Sequence, residues 1–531
     1  MWGAFSELLT SRVGARVLGY LDLRMERPVV FLRPAARLAH DPAFNCDGTK
    51  DVVESSIDEP RHLTMKISAI AAAALAVTAA ATCAVAGAAR MAPSTGSDAI
   101  RALRTQPEGE LRLHYLREVP GQAAETVAVG IAADYHYIQA HGGLRIYDYK
   151  LRRIFTVIPG NAFVSDSLYA EVWLRAMQLT SEVVRGRATL GTGASPQSAA
   201  ATMAGPFWME SELGVVASEL PRPALAQFGN QTGVHWMLGS EEVAVVAYQK
   251  DTVPDAIKGS LRRFWPTFTR VHPQIAAALA TSGHMPAELS VRQAAPDGSH
   301  ATAHWSLTTA QWEPAASFPL PPGLSARPTH EQGLYPAVFD TLAALHTENR
   351  RPPSQEAYRA RTEAALSRGA GLEAMLWLIE MDLARGRPFP PCESDGAGTY
   401  CSMWAQATRL AHGDSRTGVA FMTQAPDAGD RSQFHSLPNA YLLRFLWATR
   451  PPGRGVAHDQ SELDLLAALR ASPVANFCKD AGMFYMSQGQ PLAAWQAWDF
   501  GRSMAGHTWG DLLDSIDALE KDLATREPEL F

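Results

Sequence analysis

Lysine and cysteine are scarce in this chain, and both shortages narrow its function. Seven of its 47 basic residues are Lys and the rest Arg, a skew we read as coding bias and not as a recognition device. A formal net charge of −7 leaves no basic surplus, which argues against nucleic acid as a general partner. Beyond residue 90 the cysteines are Cys392, Cys401 and Cys478, so one bridge is the most they can make. Catalytic signatures are missing as well. There is no G-x-S-x-G, Walker A loop, G-x-G-x-x-G, H-E-x-x-H or EF-hand loop. No catalytic residue, cofactor or metal site is therefore assigned. Hydrophobic content of 47% and charged content of 19% are those of a chain able to bury a globular core.

One long uncharged run is present, and it lies inside the chain. Met65 to Arg90 reads MKISAIAAAALAVTAAATCAVAGAAR. Lys66 supplies the charged start, and 67–81 form an apolar core. Ala84-Val85-Ala86 and Ala86-Gly87-Ala88 offer the small residues that a signal peptidase accepts. We expect a signal peptide at 65–88 and export to the periplasm or beyond. The alternative is an inner-membrane anchor at 67–89, which is long enough to span but poor in leucine-class residues. The simplest account of the position is that Met65 is the true start and residues 1–64 are an upstream extension.

From residue 91 to 312 the pattern is mostly period two, the mark of strands with one covered face. Leu111, Leu113 and Tyr115 alternate, as do Val127, Val129 and Ile131. Tyr135 to Gln139 predicts another strand. His141-Gly142-Gly143 supplies a tight turn, and 144–149 with 152–157 predict a hairpin. Residues 165–185 switch to period 3.6, a helix laid on the sheet. Strands resume at 234–238 and 243–249. Two helices follow at 255–264 and 274–280, then a last hairpin at 288–293 and 301–308. Residues 91–108 look like a mobile leader. The order of elements is similar to the periplasmic lipoprotein-carrier half-barrels, with no residue motif behind the likeness. That resemblance implies an antiparallel bent sheet with an apolar concavity able to hold a lipid.

Residues 313–330 hold Pro314, Pro319, Pro321, Pro322 and Pro328, a density that predicts a linker. From 331 to 531 the pattern is helical, with segments expected at 356–368, 372–385, 402–412, 440–448, 462–470, 473–486, 492–503 and 509–524. Within it, Gly482, Tyr485, Gly489, Ala494, Trp498 and Gly501 stand at the spacing of a tetratricopeptide unit, which this stretch resembles. Cys478 and Gly506 stand where that repeat carries its first Trp and its terminal Pro. The resemblance implies repeat packing, in which Gly482 lets two helices approach, Gly489 turns the chain and Trp498 fills the gap to a neighbour. It also implies a concave side for a protein or peptide partner. Gly369 with Ala374, and Gly413 with Gly418, are weaker echoes.

The fold class expected is thus α+β multidomain, a β-rich domain followed by helical hairpins. In an oxidising compartment Cys392 and Cys401 flank a polar turn and can bridge, leaving Cys478 buried as a small apolar residue. His300 with His304, His136 with His141, Asp134 beside Tyr135 and His136, and Cys478 beside Lys479 and Asp480 are the groupings that carry chemistry-bearing side chains. Each reads more simply as a structural position. The function expected is an exported binding or assembly module without catalysis. The alternatives are a carrier of a lipid or other apolar ligand, and an enzyme whose residues form no motif.

Overall fold

The computed structural model describes residues 91–104, 108–190, 207–216, 224–229, 233–294, 300–385, 398–413, 436–448, 458–505 and 511–531. The expected signal segment and the extension before it lie outside the described residues. Among the described residues no helix is long and apolar enough to cross a membrane.

The N-terminal half is a mixed 12-stranded sheet, and the C-terminal half is helical, so the chain is an α+β multidomain protein. The strands are β1 (Glu108–Glu118), β2 (Glu125–Ile131), β3 (Tyr135–Ala140), β4 (Gly143–Asp148), β5 (Arg153–Ile158), β6 (Ala162–Ser167), β7 (Leu225–Gly229), β8 (Val234–Leu238), β9 (Glu241–Thr252), β10 (His284–Ala294), β11 (His300–Ala316) and β12 (Ser325–Arg327). Their order is β12-β6-β5-β4-β3-β2-β1-β11-β10-β9-β8-β7. Two antiparallel meanders meet where β1 pairs with β11. The one parallel pair among these is β12 beside β6.

Register decides which side chains share a face. Leu113 pairs with Val129, Val129 with Ile138, and Leu289 with Val246. This apolar face therefore runs unbroken through the centre of the sheet. Over β1, β2 and β8 to β11 it is covered by α3 (Lys258–Thr269) and α4 (Pro273–Thr281). Phe264, Trp265 and Phe268 of α3 are all buried there against Tyr115 and Trp305. Over β4 to β6 it is covered by α2 (Leu168–Leu190) and the C-terminal helices. The opposite face is polar over β10 and β11, where Ser290 meets His304.

Positive φ falls where the strands turn. The β3–β4 turn places His141 at φ 48° and Gly142 at 72°, a two-residue hairpin whose twist needs both in the left-handed region. The expected helix at 165–185 begins later, at Leu168, because Ser165 and Asp166 continue the β5–β6 ladder.

Residues 91–104 do not form a free leader. Ser97–Leu103 is helix α1, and Met91 and Ile100 are buried with Phe155, Phe163 and Phe318 on the second face. Arg101 donates to the carbonyls of Phe318 and Leu320. The proline-rich stretch is likewise bound to the sheet. β11 runs on to Ala316, Phe318 and Leu320 are buried, and β12 adds to the β6 edge. Pro tolerates such edge positions because its missing N–H faces no ladder partner.

The helical half comprises α5 (Tyr335–Thr347), α6 (Gln355–Ser367), α7 (Gly371–Arg385), α8 (Gly398–Gly413), α9 (Ala440–Ala448), α10 (His458–Ala471), α11 (Ala475–Ser487), α12 (Pro491–Ala505) and α13 (Asp511–Arg526). It shares one core with the sheet. Tyr147, Ile154, Leu168 and Trp173 are buried in the same cluster as Phe339, Trp495 and Phe500. Polar contacts pin the joint. Arg153 of β5 pairs with Asp499 of α12 at 2.9 Å, both buried, and Gln496 donates to the Ser165 carbonyl at 3.1 Å. Burying a guanidinium and a carboxylate costs solvation that only good geometry repays, so this pair fixes position more than it adds stability.

Candidate functional site

The repeat-like residues meet at the α11–α12 hairpin. Gly482 lies under the Trp498 indole: a Cβ there would sit 2.1 Å from Nε1. That indole is buried and donates to the Lys479 carbonyl at 3.0 Å. Gly489 turns the chain at φ 71°, and Ala494 is fully buried. Tyr485 reaches α10, where its hydroxyl donates to Glu462 at 2.9 Å.

A second hairpin has the same dimensions. α6 and α11 are each 13 residues long, and α7 and α12 are each 15. Both pairs are joined through a left-handed glycine, Gly369 at φ 75° and Gly489 at 71°. The turn hydrogen bonds also match. Ala370 N–H donates to the Ala365 carbonyl, as Gln490 N–H donates to that of Tyr485. This is the helix end that a glycine in the left-handed region closes, with the orphaned carbonyls satisfied. Gly371 then takes the close-contact role that Gly482 has in α11, with the α8 backbone beside it.

A buried carboxylate ties the hairpins together. Glu380 of α7 is 1% exposed and accepts from Tyr358 of α6 at 3.0 Å and Ser472 after α10 at 2.6 Å. Tyr441 of α9 donates to its other oxygen. Hydroxyls from three directions satisfy a group that would otherwise be costly to bury. Sequence reading missed this hub, since its donors are scattered over more than a hundred residues. The second hairpin was expected at 356–368 and 372–385 with Gly369 as an echo, and the S-x-G-x turn it shares with the first, Ser367–Ala370 and Ser487–Gln490, was the signal that relates the two.

The Cys478, Lys479 and Asp480 run is buried in α11. Burial pushes the Cys478 thiol up and the Lys479 ammonium down, and raises Asp480 to about 6. A thiol so disfavoured as thiolate is inert. Cys392 lies outside the described residues, and its expected partner Cys401 stands on α8.

The other candidates are separated. Alternation sends Tyr135 and His136 to opposite faces. Tyr135 donates to buried Glu110 at 2.6 Å, while Asp134 pairs with Arg104. His136 is fully buried, stacked on Tyr147 at 4.7 Å. Thr267 gives its hydroxyl hydrogen to helix carbonyls of α3 and so accepts from His136 Nε2 at 2.9 Å, leaving Nδ1 to accept from Tyr149 at 3.0 Å. Burial, aided by Arg263, Arg175 and Arg145, lowers the His136 pKa to about 3. His141 instead meets Glu125 on the surface. His300 packs on Trp208, and His304 on Ser290. Among the described residues no group of three or more His, Cys, Asp or Glu is placed to hold a metal. A second buried imidazole, His272, lies against Glu210 at 2.9 Å and caps α4 through Nδ1.

No protein-family model matches this chain, and no curated protein or solved structure is significantly similar to it.

Proposed function

We propose that the chain is an exported binding or assembly module without catalysis, whose helical hairpins engage a protein or peptide partner. The observation that carries this reading is the recurrence of one hairpin geometry, α6–α7 and α11–α12, with matched lengths and turns. Stacked helical hairpins build extended surfaces that suit peptide and helix ligands. The sheet supports the reading as a mount, because its core is continuous with that of the helices. The carrier alternative needs an open apolar concavity. Phe264, Trp265 and Phe268 instead fill the apolar face beneath α3. Export rests on the 65–88 segment.

Cross-linking in intact cells tests the reading. Photoreactive residues at exposed positions Arg359 on α6 and Glu363 one turn on should trap a discrete protein partner in the envelope fraction. Equal labelling from exposed sheet positions such as His114 and Gln311, or no adduct from the helices, would overturn it.

A further inference from the structure

Four guanidinium groups surround the His136–Tyr149 pair. Arg145 of β4 and Arg175 of α2 share one carboxylate, Glu171, at 3.2 and 3.0 Å. Arg145 also lies over the Tyr147 ring, and its Nε is shielded from water with no hydrogen-bond partner. Arg263 of α3 lies 4.7 Å over the Tyr149 ring. Arg152, in the β4–β5 turn at φ 55°, lies within electrostatic reach of both Arg263 and Tyr149. It packs on the Phe531 ring and donates to the Phe531 main-chain oxygen.

Charge is unbalanced here. Among the described residues, Glu171 is the side-chain carboxylate that pairs with Arg145 and Arg175, and the terminal oxygen of Phe531 takes Arg152, which leaves two carboxylates to four guanidinium groups. The next acids are engaged elsewhere, Asp134 with Arg104 and Glu529 with Arg262. Asp166 reaches Arg145 only through space. The floor beneath is neutral, made of His136, Tyr147 and Tyr149. The side chain of Arg145 is 40% exposed, so the cluster opens to solvent. Guanidinium forks gathered over an aromatic floor, with fewer carboxylates than cations, fit an oxyanion that accepts several N–H bonds at once.

We propose that Arg145, Arg152, Arg175 and Arg263 form a binding site for a phosphoryl group, carried by inorganic phosphate or by a phospholipid head group. The site lies between the sheet, α2 and α3; α2 packs on α12 through Trp173 and Trp495, but none of the four arginines is on a hairpin helix, and the site does not depend on how the hairpins engage a partner. Glu171 competes with the ligand for Arg145 and Arg175 and so sets its affinity.

The test uses the full chain at low ionic strength, with inorganic phosphate followed by calorimetry and by melting temperature. Saturable phosphate binding is expected, weakened at least tenfold in the Arg145→Gln, Arg263→Gln double variant. Glu171→Gln should strengthen it several-fold, a direction that loss of structure would not produce. Flotation with vesicles of phosphatidylglycerol and phosphatidylcholine separates the sources. A head-group site floats the wild type and releases the double variant, whereas a free-phosphate site binds phosphate without floating. Absence of both kinds of binding, equal binding by the double variant, or weaker binding by Glu171→Gln would overturn the proposal.

Discussion

Gly482→Ala isolates the contact on which the α11–α12 hairpin is built. The added methyl would lie 2.1, 2.3 and 2.7 Å from three atoms of the Trp498 indole, where ordinary contact begins near 3.4 Å. The indole cannot swing aside, being 2% exposed and held by its bond to Lys479. Overpacking of this kind costs about 1–3 kcal/mol. Replacing a helical Gly by Ala returns about 1 kcal/mol. With three ring atoms in conflict, the net is a loss of about 2 kcal/mol. In a Trp498→Leu background the conflict is gone, so the same substitution should stabilise by about 1 kcal/mol. The coupling between the two sites is then about 3 kcal/mol, at the upper end for residues in contact. Guanidinium unfolding followed by far-ultraviolet circular dichroism reads all four members of the cycle. A Gly482→Ala cost of the same sign and size in both backgrounds would refute the reasoning.

Replacing Glu380 by Leu should lower stability by about 3 kcal/mol or more, because the hydroxyls of Tyr358, Tyr441 and Ser472 lose their acceptor; a urea midpoint unchanged within error would contradict the hub. Burial raises Asp148 and Asp166 to about 6 and Glu527 to about 7. Each of these carboxyls binds its proton more tightly when folded, so its contribution is complete below the ordinary carboxylate range and is lost as pH rises through 6 to 7. Melting temperature should therefore fall from pH 5 to pH 8, with Asp166 alone contributing about 1.4 kcal/mol over that window and buried His136, held near 3, offsetting part of the total. Asp166→Asn should flatten that dependence, and an unaltered slope would count against it. If Cys392 and Cys401 pair, alkylation of the unfolded, unreduced mature chain should label Cys478 alone, and reduction should cost about 2–3 kcal/mol; three labels would exclude the bridge.

Local periodicity made much of the architecture legible. Alternation marked β1 to β5 and β8 to β11, and period 3.6 marked most helices within a few residues, with Ala440–Ala448 and Val234–Leu238 met at both ends. The errors have a common cause, contacts distant in sequence. α1 is short and polar-faced, and it is held by Arg101 on carbonyls more than two hundred residues away. β12 is three residues long and exists through its pairing with β6. The prolines of 313–330 read as a break, yet the segment lies along the sheet, because β11 and β12 flank it. α5 lies in the stretch expected to be helical but outside the individual segments expected there, although its Pro336 stands in a first helical turn, where Pro is favourable. At the hairpin the glycine, alanine and tryptophan positions were readable because their roles are local. Glu380 and the arginine cluster were not, since nothing in a single segment says which hydroxyls or cations will face it.

Native mass spectrometry of the chain isolated from the cell envelope tests the central claim most directly. A binding module predicts a species heavier than the chain by the mass of a second polypeptide, released when the α6–α7 surface is altered. A chain that carries only lipid, or that flies alone from the envelope, would contradict it.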